Sequence, residues 1–193
     1  YMESTIWLAD GFVVITGEIG SGKTTLLQSF LEELDDSVVY AVVSQTQLTA
    51  TEFLQATLTE FGFKPFDKRK VELLDMLNTF LIEQYSNDKK VVLIIDEAQN
   101  LDAEMLEQLR MLTNINVDKH QVLQLILVGQ PNLWNVLHHP ELLQFVQRIE
   151  VDYFLGPLDE LETKQYIEHR LSVAGGSSDL FMPETYGLIW KVT

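Results

Sequence analysis

Gly17, Gly22, Lys23 and Thr24 fall at the spacing G-x-x-x-x-G-K-[ST], inside the run GEIGSGKTT. That run follows apolar FVVIT and leads into LLQSFLEEL. A strand, a glycine turn and a helix in this order can hold a phosphate. The turn aims backbone N–H groups at phosphate oxygens, and the helix N-terminus adds partial positive charge. The cradle would comprise Gly17, Glu18, Ile19, Gly20, Ser21, Gly22, Lys23, Thr24 and Thr25. Within it, Lys23 would reach the β- and γ-phosphates of ATP, and the Thr24 hydroxyl would ligate Mg²⁺.

Such a loop needs an acidic partner at the end of a nearby buried strand. VVLIIDEAQN supplies Asp96, with Glu97 directly after it. Asp96 suits the magnesium role, through water. A carboxylate beside it can polarise an attacking water, so Glu97 favours hydrolysis over transfer to a second substrate. Gln130 ends the strand of VLQLILVGQ, where an amide can hold both a water and a γ-phosphate oxygen or can cap the loop GQPN. Arg148 opens the stretch RIEVDYF. In ring-forming ATPases an arginine there can neutralise transition-state charge in a neighbour's site. An ion pair with Glu150 is the competing reading, and Arg110 is a second candidate.

Apolar runs bounded by turn residues alternate with helical periodicity, the pattern of an α/β protein with a mostly parallel sheet. Strands are expected over 12–16, 37–44, 89–96, 122–129 and 148–154. Helices are expected after the glycine loop, over 51–61 and 68–85, and from Asp102 to about Thr113. The helix over 68–85 would present Val71, Leu74, Leu77, Leu81 and Tyr85 on its apolar face. A helical stretch broken at Pro140 precedes the fifth strand. Beyond Gly156, Asp159 and Glu162 have capping-box spacing, GGSSD reads as a linker, and Pro183 opens a last helix. A boundary near Gly156 would separate a nucleotide-binding core, 1–155, from a helical subdomain, 156–193.

Composition bounds the partners. With 13 basic and 29 acidic residues the formal charge is 13 − 29 = −16, which repels phosphate backbones and disfavours nucleic acid. No cysteine is present, so disulfides and thiolate metal sites are excluded. No run approaches the roughly 20 apolar residues of a membrane helix, and YMESTIWLAD lacks the pattern of a secretory signal. Membrane attachment would therefore come only through regions outside this sequence.

The blocks GFVVITGEIGSGKTTLL, VVLIIDEAQNL, LEQLRMLTN, LILVGQPNL, HPELLQFVQRI and GPLDELETKQYIEHRL occur in this order. In them the chain resembles the AAA+ ATPases of the general secretion pathway protein A type, whose relatives include exopolysaccharide-locus and pilus-biogenesis proteins. The resemblance implies a P-loop fold with a five-stranded parallel sheet in the order 5-1-4-3-2, followed by a helical lid. It puts Lys23 and Thr24 in the first Walker motif, Asp96 and Glu97 in the second, Gln130 at the first sensor and Arg148 at the arginine finger. It further implies an oligomer with the finger acting in trans. The domain would lie at the cytoplasmic face of the inner membrane and drive assembly of an envelope or secretion machine. A DNA-acting AAA+ ATPase of the transposition target-selection type shares the same core blocks.

The family continues past the position of Thr193 into a segment carrying a second sensor arginine, and begins upstream of Tyr1 with a segment that helps bind adenine. The 193 residues are accordingly expected to be a piece with a shortened lid, binding nucleotide weakly and hydrolysing it slowly. Extending both ends should raise phosphate release; an unchanged rate would overturn that expectation.

Overall fold

A computed structural model describes residues 11–117, 120–177 and 180–192. They fall into two compact units, one ending at Leu155 and the other beginning at Gly156.

The first unit is built on parallel strands. β1 (Phe12–Gly17), β2 (Val38–Val43), β3 (Lys90–Ile95), β6 (Leu123–Gly129) and β7 (Ile149–Leu155) form one sheet in the spatial order β2-β3-β6-β1-β7. Counting only these five strands along the chain, the order is 5-1-4-3-2, as the resemblance implies. All four neighbouring pairs are parallel. A two-stranded antiparallel ribbon, β4 (Asn116–Val117) with β5 (His120–Gln121), sits before β6. Two-residue strands carry too little periodicity to be seen in sequence, and this ribbon was not expected.

β1, β3 and β6 are mostly apolar because both faces are covered, the usual condition of a parallel sheet, whereas β7 at the edge alternates and exposes Glu150, Asp152 and Phe154. Side chains alternate between two layers. Phe12, Val14, Leu93, Ile95, Leu125 and Leu127 enter the larger core cluster, while Val13, Ile15, Val92, Ile94, Ile126 and Val128 enter the smaller one. Helix α1 (Lys23–Glu32) closes the smaller layer with Leu27, backed by Leu26, Phe30 and Leu31. Helices α2 (Ala50–Glu60), α3 (Lys70–Ser86) and α4 (Ala103–Leu112) close the larger one. Two short helices, α5 (Leu133–Leu137) and α6 (Leu143–Val146), flank a 3₁₀ turn at Pro140, which is where the sequence places the helix break.

Caps fix several helix starts. Thr49 and Glu52 form a reciprocal capping box on α2, and the Asp102 carboxylate accepts from Met105 N–H at 2.8 Å on α4. In α3 the buried residues are Leu73, Leu77, Phe80 and Leu81, whereas Val71 is 75% exposed. The helical face expected from the sequence is thus rotated. Leu77 and Leu81 belong to it, Leu74 and Tyr85 lie at its margin, and Val71 does not. The cause is at the N-terminus: Val71 lies in the first turn, ahead of Leu73, the first α3 residue to bury fully against the sheet.

The second unit holds α7 (Glu160–Val173) and α8 (Pro183–Val192). Asp159 and Glu162 form the capping box expected of them. Trp190 Nε1 donates to the Leu158 carbonyl at 3.2 Å, and the Lys164 ammonium lies 5.8 Å from the Tyr186 ring centroid. Ser178 and Asp179 of the GGSSD linker lie outside the described residues.

The rotated face of α3 is testable. Leu77→Ala should destabilise by about 2–5 kcal/mol, and Val71→Ala by no more than about 0.5 kcal/mol, both read from the denaturant midpoint at constant slope.

Candidate functional site

The glycine loop leaves β1 at its carboxyl end. All six β1 residues are buried, and the next three, Glu18, Ile19 and Gly20, are exposed. Ser21 N–H donates to the Glu18 carbonyl at 3.1 Å, closing a turn, and Gly22 at φ 92° is the N-cap of α1. A residue with a Cβ resists that left-handed backbone, so the glycine is what permits the turn. No side chain caps α1 and no acidic residue occupies its first turn. The positive end of the helix therefore meets no neutralising carboxylate of its own, which suits an anion. Ser21 Oγ is buried with no hydrogen-bond partner, a polar atom left over inside the loop.

Lys23 does not extend into solvent. Its Nζ donates to the Gly17 carbonyl at 2.8 Å and to the Glu18 carbonyl at 2.9 Å. The ammonium thus lies across the mouth of the loop, where phosphate oxygens could replace carbonyls as acceptors. The Thr24 side chain is exposed beside it.

β3 delivers the carboxylates. Asp96 follows its last residue and is anchored by its N–H to the Val43 carbonyl at 3.0 Å. Asp96 Oδ1 accepts from Glu97 N–H at 2.8 Å. Glu97 has φ 53°, ψ 36°, a left-handed conformation that costs about 1–2 kcal/mol for a side chain without glycine's freedom. The turn is held by its surroundings: Ala98 and Leu101 are buried, and Asn100 N–H bonds back to the Glu97 carbonyl at 3.0 Å. Backbone strain of this kind collects at functional sites. Glu97 itself is exposed, and its Oε2 accepts from Gln99 Nε2 at 2.5 Å.

Gln130 leaves β6. Its backbone N–H donates to Gln99 Oε1 at 2.9 Å, and its carbonyl accepts from Leu133 N–H at 2.9 Å, opening the turn into α5. The strand register puts these exits on one edge, with Gly17 level with Gln130 and Asp96 two residues short of them, level with Val128. Thr16 is opposite Gly129 and Leu127 is opposite Ile95, so Gly17, Gln130 and Asp96 all emerge at the carboxyl edge. β1 and β3 are two strand spacings apart, about 10 Å. Open parallel sheets bind their ligands at that edge.

Arg148 is elsewhere. It precedes β7, whose far end, Leu155, is opposite Gly17, so it stands at the amino edge of the sheet. Seven residues of extended chain separate the two levels, about 20 Å. There its guanidinium donates to Thr113 Oγ1 at 3.0 Å and to Asn114 Oδ1, and it covers the Phe12 ring at 5.8 Å. These contacts grip the carboxyl end of α4. Arg110 is engaged too, donating to Glu107 at 2.8 and 2.6 Å. Those hydrogen bonds first, and then the charges of Arg110 and Arg148, hold the Glu107 carboxyl below the ordinary range.

Two residues of the site carry no signal that sequence reasoning picked up: Gln99, which touches both Glu97 and Gln130, and Gly129, which lies against it. Gln99 stands in the same DEAQN run as the carboxylates, but its second partner is 31 positions away and only the sheet brings the two together.

A phosphate loop, a carboxylate pair and an amide on one edge of a 5-1-4-3-2 parallel sheet define a P-loop ATPase of the AAA class. Residues 8–137 match the family model described as AAA domain. The chain belongs to that family. It is 39% identical over 95% of its length to General secretion pathway protein A of Aeromonas hydrophila, and it spans about a third of that relative, 34%. Among solved structures it is similar to the Aeropyrum pernix ORC2 protein in its ADP form, at TM-score 0.69 and 20% identity, covering 89% of this chain and 51% of that one. It is also similar to Drosophila ORC bound to DNA, at TM-score 0.64 and 18% identity, covering 85% and 42%. Likeness at that identity is likeness of fold.

Gly22→Ala should cost about 1–2 kcal/mol by forcing a Cβ into left-handed backbone. A loop that relaxes out of the left-handed turn must recover it on binding, so ATP affinity measured by calorimetry should fall by up to about tenfold, with the circular dichroism of the sheet unchanged.

Proposed function

We propose that the domain hydrolyses ATP with the residues of the carboxyl edge, and that this drives assembly of a bacterial envelope or secretion machine. The observation that carries the chemistry is the strained turn at Glu97, which sets a carboxylate directly after Asp96 and on the same edge as the glycine loop. The 39% identity to General secretion pathway protein A supports the setting.

The loop N–H groups and the start of α1 would hold the phosphates, and Lys23 Nζ would turn from the Gly17 and Glu18 carbonyls to the β- and γ-phosphate oxygens. Thr24 and Asp96 offer one hydroxyl and one carboxylate, an oxygen-only set that fits magnesium held largely by water and phosphate. Bound there, the ion would offset charge on the phosphates. Glu97 accepts a proton from water as the water oxygen bonds to the γ-phosphorus. The bond from that phosphorus to the bridging oxygen breaks, ADP leaves with the electron pair, and the proton passes on to the released phosphate. Gln130 would orient the water and a γ-phosphate oxygen.

Arg148, about 20 Å from the loop of its own chain, would act on a neighbouring subunit after leaving Thr113 and Asn114. Residues 156–193 would belong to a helical lid subdomain. Among the described residues no helix is long and apolar enough to cross a membrane. A place at the cytoplasmic face of the inner membrane would therefore depend on other parts of the protein.

In the full protein, Glu97→Gln should keep ATP binding and lower phosphate release by about 10²–10⁴-fold; turnover at the wild-type rate would remove Glu97 from the chemistry. Arg148→Ala alone should also be slow. Mixing it with Glu97→Gln should restore turnover, because one subunit supplies the carboxylate and the other the arginine. If the mixture stays as slow as its components, Arg148 does not act in trans.

A further inference from the structure

The turn after β3 holds a polar side chain that hydrolysis as described leaves unused. The Gln99 amide is engaged at both ends: Nε2 donates to Glu97 Oε2 at 2.5 Å, and Oε1 accepts from Gln130 N–H at 2.9 Å. The first bond stays within one turn. The second joins the exit of β3 to the exit of β6.

An amide is suited to this place because it presents a donor and an acceptor on one rigid plane. A glutamate would keep the oxygen facing Gln130 but set a second negative charge against Glu97. The neighbouring strand makes room for the amide and nothing larger. A Cβ on Gly129 would lie 2.7 Å from Gln99 Oε1 and 3.2 Å from its backbone nitrogen. Gln99 stands in the 3₁₀ turn Ala98–Asn100, in which Ala98 is buried, as is Leu101 directly after it.

The bond to Gln99 restrains a carboxylate that is otherwise exposed and free to rotate. It occupies Oε2 with a charge-assisted hydrogen bond and leaves Oε1 to accept a proton. We propose that Gln99 is a positioning residue, tying the Glu97 carboxylate to the end of β6 through one amide. The inference rests on the hydrolytic reading of Glu97. Through this link a movement of Gln130 on meeting a phosphate is passed to the carboxylate, so that the two sides of the site are set together.

Gln99→Glu, in the full protein, removes the donor and keeps the length. Its kcat should fall roughly ten- to a hundredfold, the usual consequence of a misplaced reacting group. Its Kd for mant-labelled ATP should stay within about twofold of wild type, because the phosphate cradle is untouched. In a Glu97→Gln background the same change should alter the residual rate by less than about twofold, since the carboxylate it positions is gone. Gly129→Ala leaves Gln99 in place but crowds its amide, and should reproduce the kcat loss at unchanged affinity; it decides the matter if Gln99→Glu does not fold.

Wild-type kcat in these variants, while Glu97→Gln is slow, overturns the positioning role and leaves the hydrolytic reading standing. Loss of nucleotide affinity in step with kcat, or the same factor lost with and without Glu97→Gln, also overturns it. A wild-type protein that releases no phosphate, or Glu97→Gln at the wild-type rate, fails the hydrolytic reading itself.

Discussion

β1 is hydrogen-bonded on both sides, to β6 and to β7, and each of its six residues is buried. Everything chemical in the core unit depends on that interior strand. A buried parallel strand must have every backbone group paired, so its length and level are fixed by its neighbours. Where the pairing stops, at Gly17, the backbone N–H groups of the next residues are released together and at one height. The other strands obey the same constraint, so β6 releases Gln130 level with Gly17 and β3 releases Asp96 two residues lower on the same edge. The site is the set of places where a rigid sheet runs out of partners.

That constraint explains what could be read in the sequence. Strands buried on both faces appear as unbroken apolar runs, and FVVIT, VVLII and LQLILVG mark three of the five without ambiguity. Phosphate-binding spacing and a carboxylate pair are local, so Gly17 to Thr25 and Asp96–Glu97 could be named from the chain alone. Helix α3 was harder, because Val71, Leu74, Leu77 and Leu81 fit a helical face as well as Leu73, Leu77, Phe80 and Leu81 do. Spacing identifies a stripe, and only the surface beneath it selects between stripes offset by a fraction of a turn.

Long-range partners were not legible at all. Gln99 has no special character in DEAQN until β6 places Gln130 N–H against its oxygen. Gly129 ends an apolar strand and reads as a turn residue, whereas its absent side chain is what admits the amide. The resemblance implied that Arg148 acts in a neighbour's site, which says nothing of where it stands relative to its own chain's loop. The parallel register puts it at the start of β7, the opposite edge from Gly17. An arginine before a parallel strand and a loop after its neighbour stand at opposite edges of one sheet, a separation that only the register reveals.

The two edges of the sheet therefore hold different kinds of group. At the carboxyl edge, Lys23 and Glu97 are bonded to loop carbonyls and to a neutral amide, partners that a charged ligand can replace or reorient at modest cost. At the amino edge, Arg148 rests on the hydroxyl and amide that follow α4 and on the face of Phe12, again without an ion pair among those contacts. Each of these bonds has one charged partner, whereas an arginine–carboxylate pair joins two charges through two parallel hydrogen bonds. In turning toward an anion, a guanidinium held this way would give up only uncharged acceptors, whereas Arg110, paired bidentately with Glu107, would have to abandon a carboxylate first. Of the two arginines, the strength of the bond to be broken favours Arg148 as the one able to move.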